Sequence, residues 1–433
     1  MRGNPPLTTT QILDGVTPIE VLWFLGGVGA LVPPKRTGRS AQRAAKGSPC
    51  GAGRCPCSAR RSYAREGPGF PRVPEPETSC QALTRGGVYF MPVVLSLFNH
   101  KGGVSKTTTT FNLGWKLAQR GRRVLLVDAD PQCNLTGTIL GFRGVGDDSI
   151  FYEQNPRANI VAALEPAYAG RPERLGIAET FEWGPPGLNI LAGHIDLSVW
   201  EPQLAVSLTT GRALPALSNL PGAVNYLLRT TGEHLQVDLI LLDMNPSVSA
   251  LNETLLFSSD YFIVPTSPDY YCYQAALALC RVLPRWAREI GNVQAADAAY
   301  RLPERFPKML GAIAQRFRPR SGKPAQAFQD WVDRINEAVK GQLVPVLQPL
   351  GMVVDEQEYR HVEAPGEPYL LATIADFNSL IAQSQKHNVP VFALTDEQIE
   401  RQGIVLDTMR KSREAFDGIF EELARVVERL TLH

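Results

Sequence analysis

The sequence is poor in features that would assign it directly to a common functional class. Its formal net charge is only +1, which predicts no global attraction to DNA or to an anionic membrane, so any such binding must come from a local patch. The apolar run at 21–32 (VLWFLGGVGALV) is too short to span a bilayer, and acidic residues precede it, which argues against a signal peptide. The six histidines are scattered, and no HExxH motif or Ser/His/Asp order supports a hydrolase of those types.

Cysteine pairs with the spacing of a zinc site are also missing. Four of the seven cysteines fall in the first 90 residues without a Cys-x-x-Cys pair or a nearby histidine, namely Cys50, Cys55, Cys57 and Cys80. Incidental cysteines are therefore the better interpretation there. The other three, Cys133, Cys272 and Cys280, lie far apart and are typical of small buried residues in a reduced, cytoplasmic protein.

Residues 1–90 differ in kind from the rest of the chain. They hold 12 Lys/Arg against 5 Asp/Glu, whereas the remainder holds 32 against 38. They are rich in Gly, Pro, Arg, Ala and Ser and show no sustained periodicity. A nucleotide-binding domain would begin naturally at Met91, so residues 1–90 are expected to be a disordered extension or upstream sequence from a wrongly assigned start.

The segment NHKGGVSKTTTT (99–110) is nearly a phosphate-binding loop. The usual pattern is a glycine, four residues and then Gly-Lys-Ser/Thr, and here His100 and Ser105 replace its two glycines. The context is right, because the apolar run VVLSLF (93–98) predicts a buried parallel strand and an amphipathic helix ending near Gly121 follows. Gly102 and Gly103 would let the backbone approach a phosphate. Lys106 would supply positive charge and Thr107 a hydroxyl for Mg²⁺.

Carboxylates follow two further apolar strands. RRVLLVDADPQCN (122–134) places Asp128 and Asp130 at a strand end, and VDLILLDMNPS (237–247) does the same for Asp243. Ligands bind at the carboxyl ends of strands in open α/β sheets, and Asp243 suits a Mg²⁺ contact through water. An isolated DAD would be read as a solvated acidic turn, but three strand ends delivering Lys/Thr, Asp/Asp and Asp together predict a nucleotide site.

These motifs resemble those of the ParA/MinD family of deviant-Walker P-loop ATPases, and specifically its ParA-like branch. The family motif Lys-Gly-Gly-x-Gly-Lys-Thr-Thr is similar to KGGVSKTT (101–108), and VLLVD-x-DPQ-x-N is similar to VLLVDADPQCN. LLDMNPS and YFIVPTSPDYYCYQAALAL (261–279) resemble the third signature and the segment beside the base. The clear resemblance covers about 91–290. It implies a doubly wound, mostly parallel α/β sheet flanked by helices, within a 91–433 domain that has a C-terminal helical part.

The resemblance also implies roles for individual residues. Lys101 would be the signature lysine that reaches the phosphates of a partner subunit, Lys106 the phosphate lysine of its own subunit, and Thr107 a Mg²⁺ ligand. Asp130 or Asp128 would position the attacking water, and this choice stays open. The remaining nucleotide contacts would come from Gly102, Gly103, Val104, Ser105, Thr108, Asn134 and Pro265.

Ser105 is the main departure from the family pattern, since ParA-like proteins do not require glycine at the position of His100. A serine adopts helical angles readily and can cap a helix, whereas a positive φ would strain it. Ser105 is therefore expected to have near-helical angles.

The regions outside the nucleotide motifs carry weaker predictions. Residues 142–236 are expected to pack over the nucleotide and to contribute to dimerisation. The segment 308–340 predicts a strand, a basic loop and a helix, in which Arg316, Arg318, Arg320 and Lys323 form a candidate DNA-binding patch. A solvated loop without a special role is an equally good interpretation. Gln315 stands where family members often have Asn, which leaves adenine specificity open.

The last helix predicts docking on its own domain. Phe416, Ile419, Phe420, Leu423, Val427 and Leu430 form one apolar stripe. Its polar face mixes glutamates with arginines, so the basic membrane helix of MinD-type relatives is not reproduced and membrane binding is disfavoured.

The leading functional prediction is an ATPase that binds ATP and Mg²⁺, dimerises around the nucleotide and drives or regulates the partition of plasmids or chromosomes. The resemblance implies non-specific DNA, a ParB-like adaptor protein and a second copy of the chain as partners, in the bacterial cytoplasm or on the nucleoid. One alternative is a binding module in which Ser105 has weakened hydrolysis. Another is a MinD-like positioning ATPase at a membrane.

Overall fold

The computed structural model describes residues 91–432 apart from 145, 172, 211–213, 215–216, 294–297, 318, 321–322, 325 and 365–366. The side chains of 316–325 are not described. The predictions made for residues 1–90, including those for their four cysteines, lie outside the described residues.

Ten strands and fourteen α-helices make up the described part. The strands are β1 Val93–Leu97, β2 Val124–Ala129, β3 Phe181–Glu182, β4 Leu188–Leu191, β5 Leu239–Met244, β6 Tyr261–Thr266, β7 Lys308–Phe317, β8 Pro319–Arg320, β9 Lys323–Pro324 and β10 Leu370–Ala375. The helices are α1 Lys106–Gln119, α2 Asn134–Leu140, α3 Asp147–Gln154, α4 Ile160–Tyr168, α5 Glu201–Thr210, α6 Leu220–Leu235, α7 Ala250–Phe257, α8 Tyr270–Val293, α9 Gln326–Ala338, α10 Val344–Leu347, α11 Glu356–His361, α12 Leu380–His387, α13 Asp396–Ile399 and α14 Gly403–Thr431.

Eight of the strands form one sheet in the order β10-β7-β6-β1-β5-β2-β4-β3. Within this described sheet every neighbouring pair is parallel except β3 with β4. The chain builds outward from β1 in both directions, so the strand order reverses near the middle of the sheet. This is the doubly wound, mostly parallel architecture that the sequence predicted, and its switch point lies beside β1.

The central strands are buried because helices cover the sheet and the strand sequences are almost wholly apolar. All six residues of β2 and all six of β5 are buried, and so are four of the five in β1. The apolar runs that ended at Asp128 and Asp243 are therefore strands, as predicted.

Helix α1 begins directly after the phosphate loop and packs on β2 and β5. The apolar positions that make its sequence amphipathic are buried, namely Phe111, Leu113, Trp115, Leu117 and Ala118. At Gly114 the contact is so close that an added Cβ would lie 2.4 Å from Leu126 Cδ2. The helix ends where predicted, since Gly121 has φ 86° and its N–H donates to the Ala118 carbonyl. The close contact fixes the position of the loop relative to the strand ends.

Helix α14 docks on its own domain, as the apolar stripe predicted. Phe416, Phe420, Leu423, Val427 and Leu430 are buried, and the helix contacts α1 and β10. Among the described helices, none combines the length and hydropathy required to cross a bilayer.

The predicted strand, basic loop and helix of 308–340 are β7, a short hairpin of β8 with β9, and α9. The segment predicted as a loop thus contains a two-stranded antiparallel pair.

Candidate functional site

The candidate site lies where three neighbouring parallel strands end. β1 pairs with β5, and β5 pairs with β2, so the segments that follow these strands meet at one edge of the sheet. Asp128 and Asp243 are register partners on β2 and β5. The structure therefore brings together the lysine loop and the two acidic strand ends that the sequence had placed in separate segments.

Asn99 fixes the start of the phosphate loop, and sequence reasoning missed it. Its side chain is fully buried and its Nδ2 donates to the Pro265 carbonyl at 2.8 Å, while its Oδ1 accepts the Lys101 N–H at 3.0 Å. Its carbonyl accepts from Lys106 Nζ at 3.0 Å. The one signal available in the sequence was a polar residue at the end of an apolar strand.

The loop reaches α1 through two left-handed residues. Gly103 has φ 74°, which glycine tolerates. Ser105 has φ 58° and ψ 32°, so the prediction of near-helical angles was wrong. Ser105 is the N-cap of α1, and its carbonyl accepts the Thr109 N–H at 2.9 Å from this left-handed conformation. Because serine carries a Cβ, this conformation costs about 1–3 kcal/mol.

Lys106 is 7% exposed and lies among the acidic groups of the site. Burial lowers the pKa of its ammonium group, and the charges of Asp243 and Asp130 oppose that decrease. The hydrogen bonds of its Nζ go to the backbone carbonyls of Asn99 and Lys101, which are neutral groups. These bonds leave the positive charge of Lys106 without a direct ion pair among the described residues. It is suited to an anionic ligand.

A cleft of about 500 Å³ opens beside the loop and α1. It is lined by Gly103, Val104, Ser105, Lys106, Thr107, Thr108, Asp130, Asn134, Thr138, Pro246, Gln315, Ile374, Ala375, Asp376, Phe377, Ile381 and Gln385. Eight of the predicted site residues are in this set. Lys101, Gly102, Asp128, Asp243 and Pro265 are not.

The two carboxylates of the DAD segment have different environments. Asp128 is fully buried, and its Oδ2 accepts the Thr136 N–H at 2.8 Å and the Thr136 hydroxyl at 2.7 Å. Burial raises the pKa of Asp128 to about 6. Asp130 lines the cleft, and its Oδ1 accepts the Gln132 N–H at 2.9 Å. Asp128 therefore holds the start of α2, whereas Asp130 faces the space for a ligand.

Asp243 is a buried carboxylate without a well-formed hydrogen bond. Among the described residues no donor satisfies either of its oxygens, although the Thr107 hydroxyl lies close enough to oppose the rise in its pKa. Burial, followed by the neighbouring Asp128, raises the pKa of Asp243 well above its ordinary value. Unsatisfied carboxylate oxygens beside a threonine hydroxyl fit a hydrated Mg²⁺, which prefers oxygen ligands and retains several waters.

The opposite wall of the cleft comes from a region that the sequence did not assign to the site. Residues 374–385, from the end of β10 into α12, supply six of the lining residues. None of the described lining residues belongs to 142–236, so the described part of that region does not form this wall, and its packing over the nucleotide and its part in dimerisation stay predictions. Its strands β3 and β4 extend the sheet beyond β2 instead.

Gln315 lies deep in the cleft wall at 2% exposure. Its Oε1 accepts the Thr109 hydroxyl of α1 at 2.9 Å, and its Nε2 has no partner among the described residues. The amide donor is therefore free to meet an acceptor on a ligand.

Pro246 enters the cleft from a loop that is organised by Asn252. The buried Asn252 Nδ2 donates to the carbonyls of Asn245 and Ser247 at 2.9 and 2.8 Å. The start of α7 is held from α5, because Glu201 accepts the N–H groups of Ala250 and Leu251 at 2.6 and 3.0 Å. The segment after Asp243 is thus fixed at both ends.

Lys101 and Pro265 do not line the cleft. Lys101 is half-buried and its Nζ donates to the carbonyl of Gly102 at 3.0 Å. Pro265 is buried in β6, where its carbonyl holds Asn99. The side chains of Arg316, Arg318, Arg320 and Lys323 lie outside the described residues, so their arrangement as a patch stays a prediction.

Comparisons with known proteins agree with this geometry. Residues 93–292 match a family model described as an AAA domain. The chain is 27% identical over 334 residues to a probable plasmid-partitioning protein ParA of Thermus thermophilus, covering 76% of this chain and 83% of that protein. It is 30% identical over 192 residues to the chromosome partitioning protein ParA of Caulobacter vibrioides, covering 44% of this chain and 62% of that protein.

A solved structure described as pNOB8 ParA bound to nonspecific DNA is 20% identical, with a TM-score of 0.46, and covers 78% of this chain and 98% of that one. The fold is established by the strand order of the chain itself.

The strand order, the lysine-first loop, the acidic strand ends and the named relatives point to one family. The chain is similar to ParA-type partitioning proteins, in agreement with the resemblance of its motifs to the ParA/MinD family of deviant-Walker P-loop ATPases.

Proposed function

We infer that this protein binds ATP with Mg²⁺, dimerises around the nucleotide and hydrolyses it to drive or regulate the partition of DNA. The observation that carries this proposal is the meeting of Lys106, Thr107, Asp130 and Asp243 at one sheet edge. Phosphoryl transfer to water requires positioning, a metal ion and stabilisation of negative charge, and these four side chains supply the corresponding groups.

The phosphate loop would hold the nucleotide phosphates. Gly103 to Thr108 line the cleft at the N-terminus of α1, where the first N–H groups of the helix and its dipole favour an anion. The buried Lys106 adds a full positive charge. The loop thus forms an anion site before any ligand binds.

Thr107 and the carboxylate of Asp243, through water, would hold Mg²⁺. When bound, the ion neutralises charge on the phosphate oxygens. The orphaned oxygens of Asp243 support this assignment, because a buried carboxylate without donors is costly unless a cation meets it.

Asp130 is the better candidate for the residue that positions the attacking water. It lines the cleft, whereas Asp128 is fully buried and both of its oxygens accept hydrogen bonds from the protein. Asp128 would act through α2 by holding Thr136 in place. Asn134, the first residue of α2, also lines the cleft and would contact the nucleotide.

A second copy of the chain would complete the site. Lys101 does not line the cleft of its own chain, which supports a role toward a partner's phosphates. Ile195 and Val199 are each 65% exposed and Val248 is 43% exposed, which provides apolar surface for such a contact. Ile195 and Val199 lie in the helical turn just before Glu201, and Val248 lies just before α7. Glu201 accepts hydrogen bonds from the first two N–H groups of α7, which joins the two segments.

DNA and an adaptor protein are the proposed partners of the nucleotide-bound dimer. The names of the two relatives, plasmid-partitioning and chromosome partitioning proteins, support this proposal. The chain spans 83% of the first relative but about three fifths of the second, so the partners remain proposals. The Arg316 to Lys323 segment would supply the DNA contacts, and we propose the bacterial cytoplasm or nucleoid as the location.

A membrane-positioning role is less well supported. The apolar stripe of α14 is buried against α1 and β10 and is not available for lipid. A binding-only module stays the main alternative, because Ser105 is strained at the phosphate loop.

Steady-state ATPase assays on the full chain, with and without DNA, test the proposal. We expect Lys106→Ala to lose nucleotide binding, and Asp130→Asn to retain binding while its turnover falls roughly 100-fold or more. Lys340→Ala is the matched control. This lysine is exposed and follows the end of α9 by two residues, so the variant should behave as wild type.

The outcomes separate the two readings of the site. Binding without turnover under every condition would leave only the nucleotide-dependent module. Full turnover by Asp130→Asn would show that another group positions the water.

A further inference from the structure

Ser105 holds a conformation that serine adopts reluctantly at the centre of the proposed phosphate site. Its φ of 58° and ψ of 32° lie in the left-handed region, which a glycine would occupy without strain. The family motif has a glycine at this position. Compared with that glycine, the serine adds backbone strain and a hydroxyl-bearing side chain. A strained residue at a binding loop points to a role for that side chain.

The backbone of Ser105 is already committed to the protein. Its carbonyl accepts the Thr109 N–H at 2.9 Å, which starts the first turn of α1. The left-handed angles are therefore maintained by the helix that follows.

The hydroxyl of Ser105, in contrast, is uncommitted. It does not cap α1, and no hydrogen bond joins it to any of the described residues. Ser105 lines the cleft between the buried Val104 and the buried Lys106. A hydroxyl at this point has only solvent or a ligand as its partner.

We propose that the Ser105 hydroxyl donates a hydrogen bond to a phosphate oxygen of the bound nucleotide. This rests on the proposed function of the cleft as a nucleotide site. An O–H donor to an anionic oxygen forms a short, charge-assisted bond, which glycine cannot supply. Ser105 is thereby a polyphosphate-binding residue, and its side chain compensates for the strain that the loop imposes.

Two substitutions separate the hydroxyl from the strain. Ser105→Ala removes the hydroxyl and keeps a Cβ in the left-handed region, whereas Ser105→Gly removes both. Binding of Mg·ATP and of Mg·ADP to the full chain is measured by calorimetry, and the thermal unfolding midpoint is measured without nucleotide.

We expect both variants to bind nucleotide roughly tenfold more weakly than wild type, the effect of losing one hydrogen bond to a charged group. The unfolding midpoint should stay unchanged in Ser105→Ala and should rise in Ser105→Gly, because only the second variant relieves the strain. The Gly variant cannot fail to fold through strain, so it retains the test if the Ala variant is poorly folded.

Wild-type affinity in either well-folded variant, or tighter binding by Ser105→Gly, overturns the inference and leaves the proposed function intact. Absence of nucleotide binding by the wild-type chain, with Lys106→Ala indistinguishable from it, overturns the proposed function and this inference together.

Discussion

Glu253 is a buried acidic residue that does not line the cleft, and its protonation links stability to pH. It is 3% exposed in α7, and among the described residues its Oε1 has no hydrogen-bond partner. Burial, followed by the charge of Glu289 on α8, raises the pKa of Glu253 to about 9. The folded protein therefore keeps this carboxyl protonated at neutral pH.

The raised pKa predicts a loss of stability with increasing pH. A carboxyl that binds its proton more tightly in the folded state contributes stability below its ordinary pKa of 4.5, and this contribution is lost as pH rises to about 9. The slope from one group is at most about 1.4 kcal/mol per pH unit. We expect Glu253→Gln to flatten the pH dependence of urea unfolding between pH 6 and pH 9.

The exposed Glu337→Gln on α9 is the control and should retain the wild-type slope. Parallel slopes for wild type and Glu253→Gln would show that Glu253 is ionised in the folded protein.

At the level of single residues, the sequence predicted which side chains meet at the site. It did not predict their backbone angles or their hydrogen-bond partners. Lys106, Thr107 and Asp130 were predictable, because residue type and spacing after a strand carry their chemistry. The left-handed angles of Ser105 were not, since they depend on how the chain enters α1. Asp128 and Asp130 could be distinguished only through Thr136, whose contact with Asp128 depends on the packing of α2.

Helices α1 and α14 are joined by charged side chains as well as by apolar packing. Glu428, which is 6% exposed, accepts from Arg120 Nη2 at 2.8 Å and from Arg122 Nε at 3.1 Å. Arg120 also pairs with Glu421, and Lys116 pairs with Asp417. The helix that starts at the phosphate loop is thus fastened to the C-terminal helix.

Glu428→Gln should destabilise the protein by roughly 1–3 kcal/mol, because it leaves two partly buried guanidinium groups with weakened partners. The free energy of unfolding is measured in urea. Glu367→Gln is a matched control, since Glu367 pairs with Lys340 at an exposed site and its loss should leave the free energy of unfolding nearly unchanged. Equal effects of the two substitutions would contradict the role assigned to Glu428.

At the level of elements, the sequence predicted the strands that are buried on both faces. β1, β2 and β5 are continuous apolar runs, and that pattern is local. The second wall of the cleft was not predictable in this way. Residues 374–385 reach the cleft because β10 pairs with β7 at the sheet edge, and this pairing is not encoded by any local periodicity.

For the molecule as a whole, the proposed function requires two copies of the chain. Lys101→Ala should leave the affinity of one chain for nucleotide within about threefold of wild type, because the side chain does not line its own cleft. It should abolish the ATP-dependent dimer or its turnover. Sedimentation velocity with Mg·ATP and with Mg·ADP measures the dimer directly.

Lys340→Ala is again the control for loss of a lysine. A Lys101→Ala protein that dimerises and hydrolyses ATP like wild type would remove the evidence for a shared site.

The central position of β1 has a consequence for how the protein is made. β1 is flanked by β5 and β6, and its partner Leu239 emerges from the ribosome roughly 150 residues after Val93. At typical rates of synthesis this is a delay of roughly 7 to 30 s. During that interval a strand of β-branched and aliphatic residues has neither sheet neighbour, so the nascent chain needs protection from aggregation before its nucleotide loop can form.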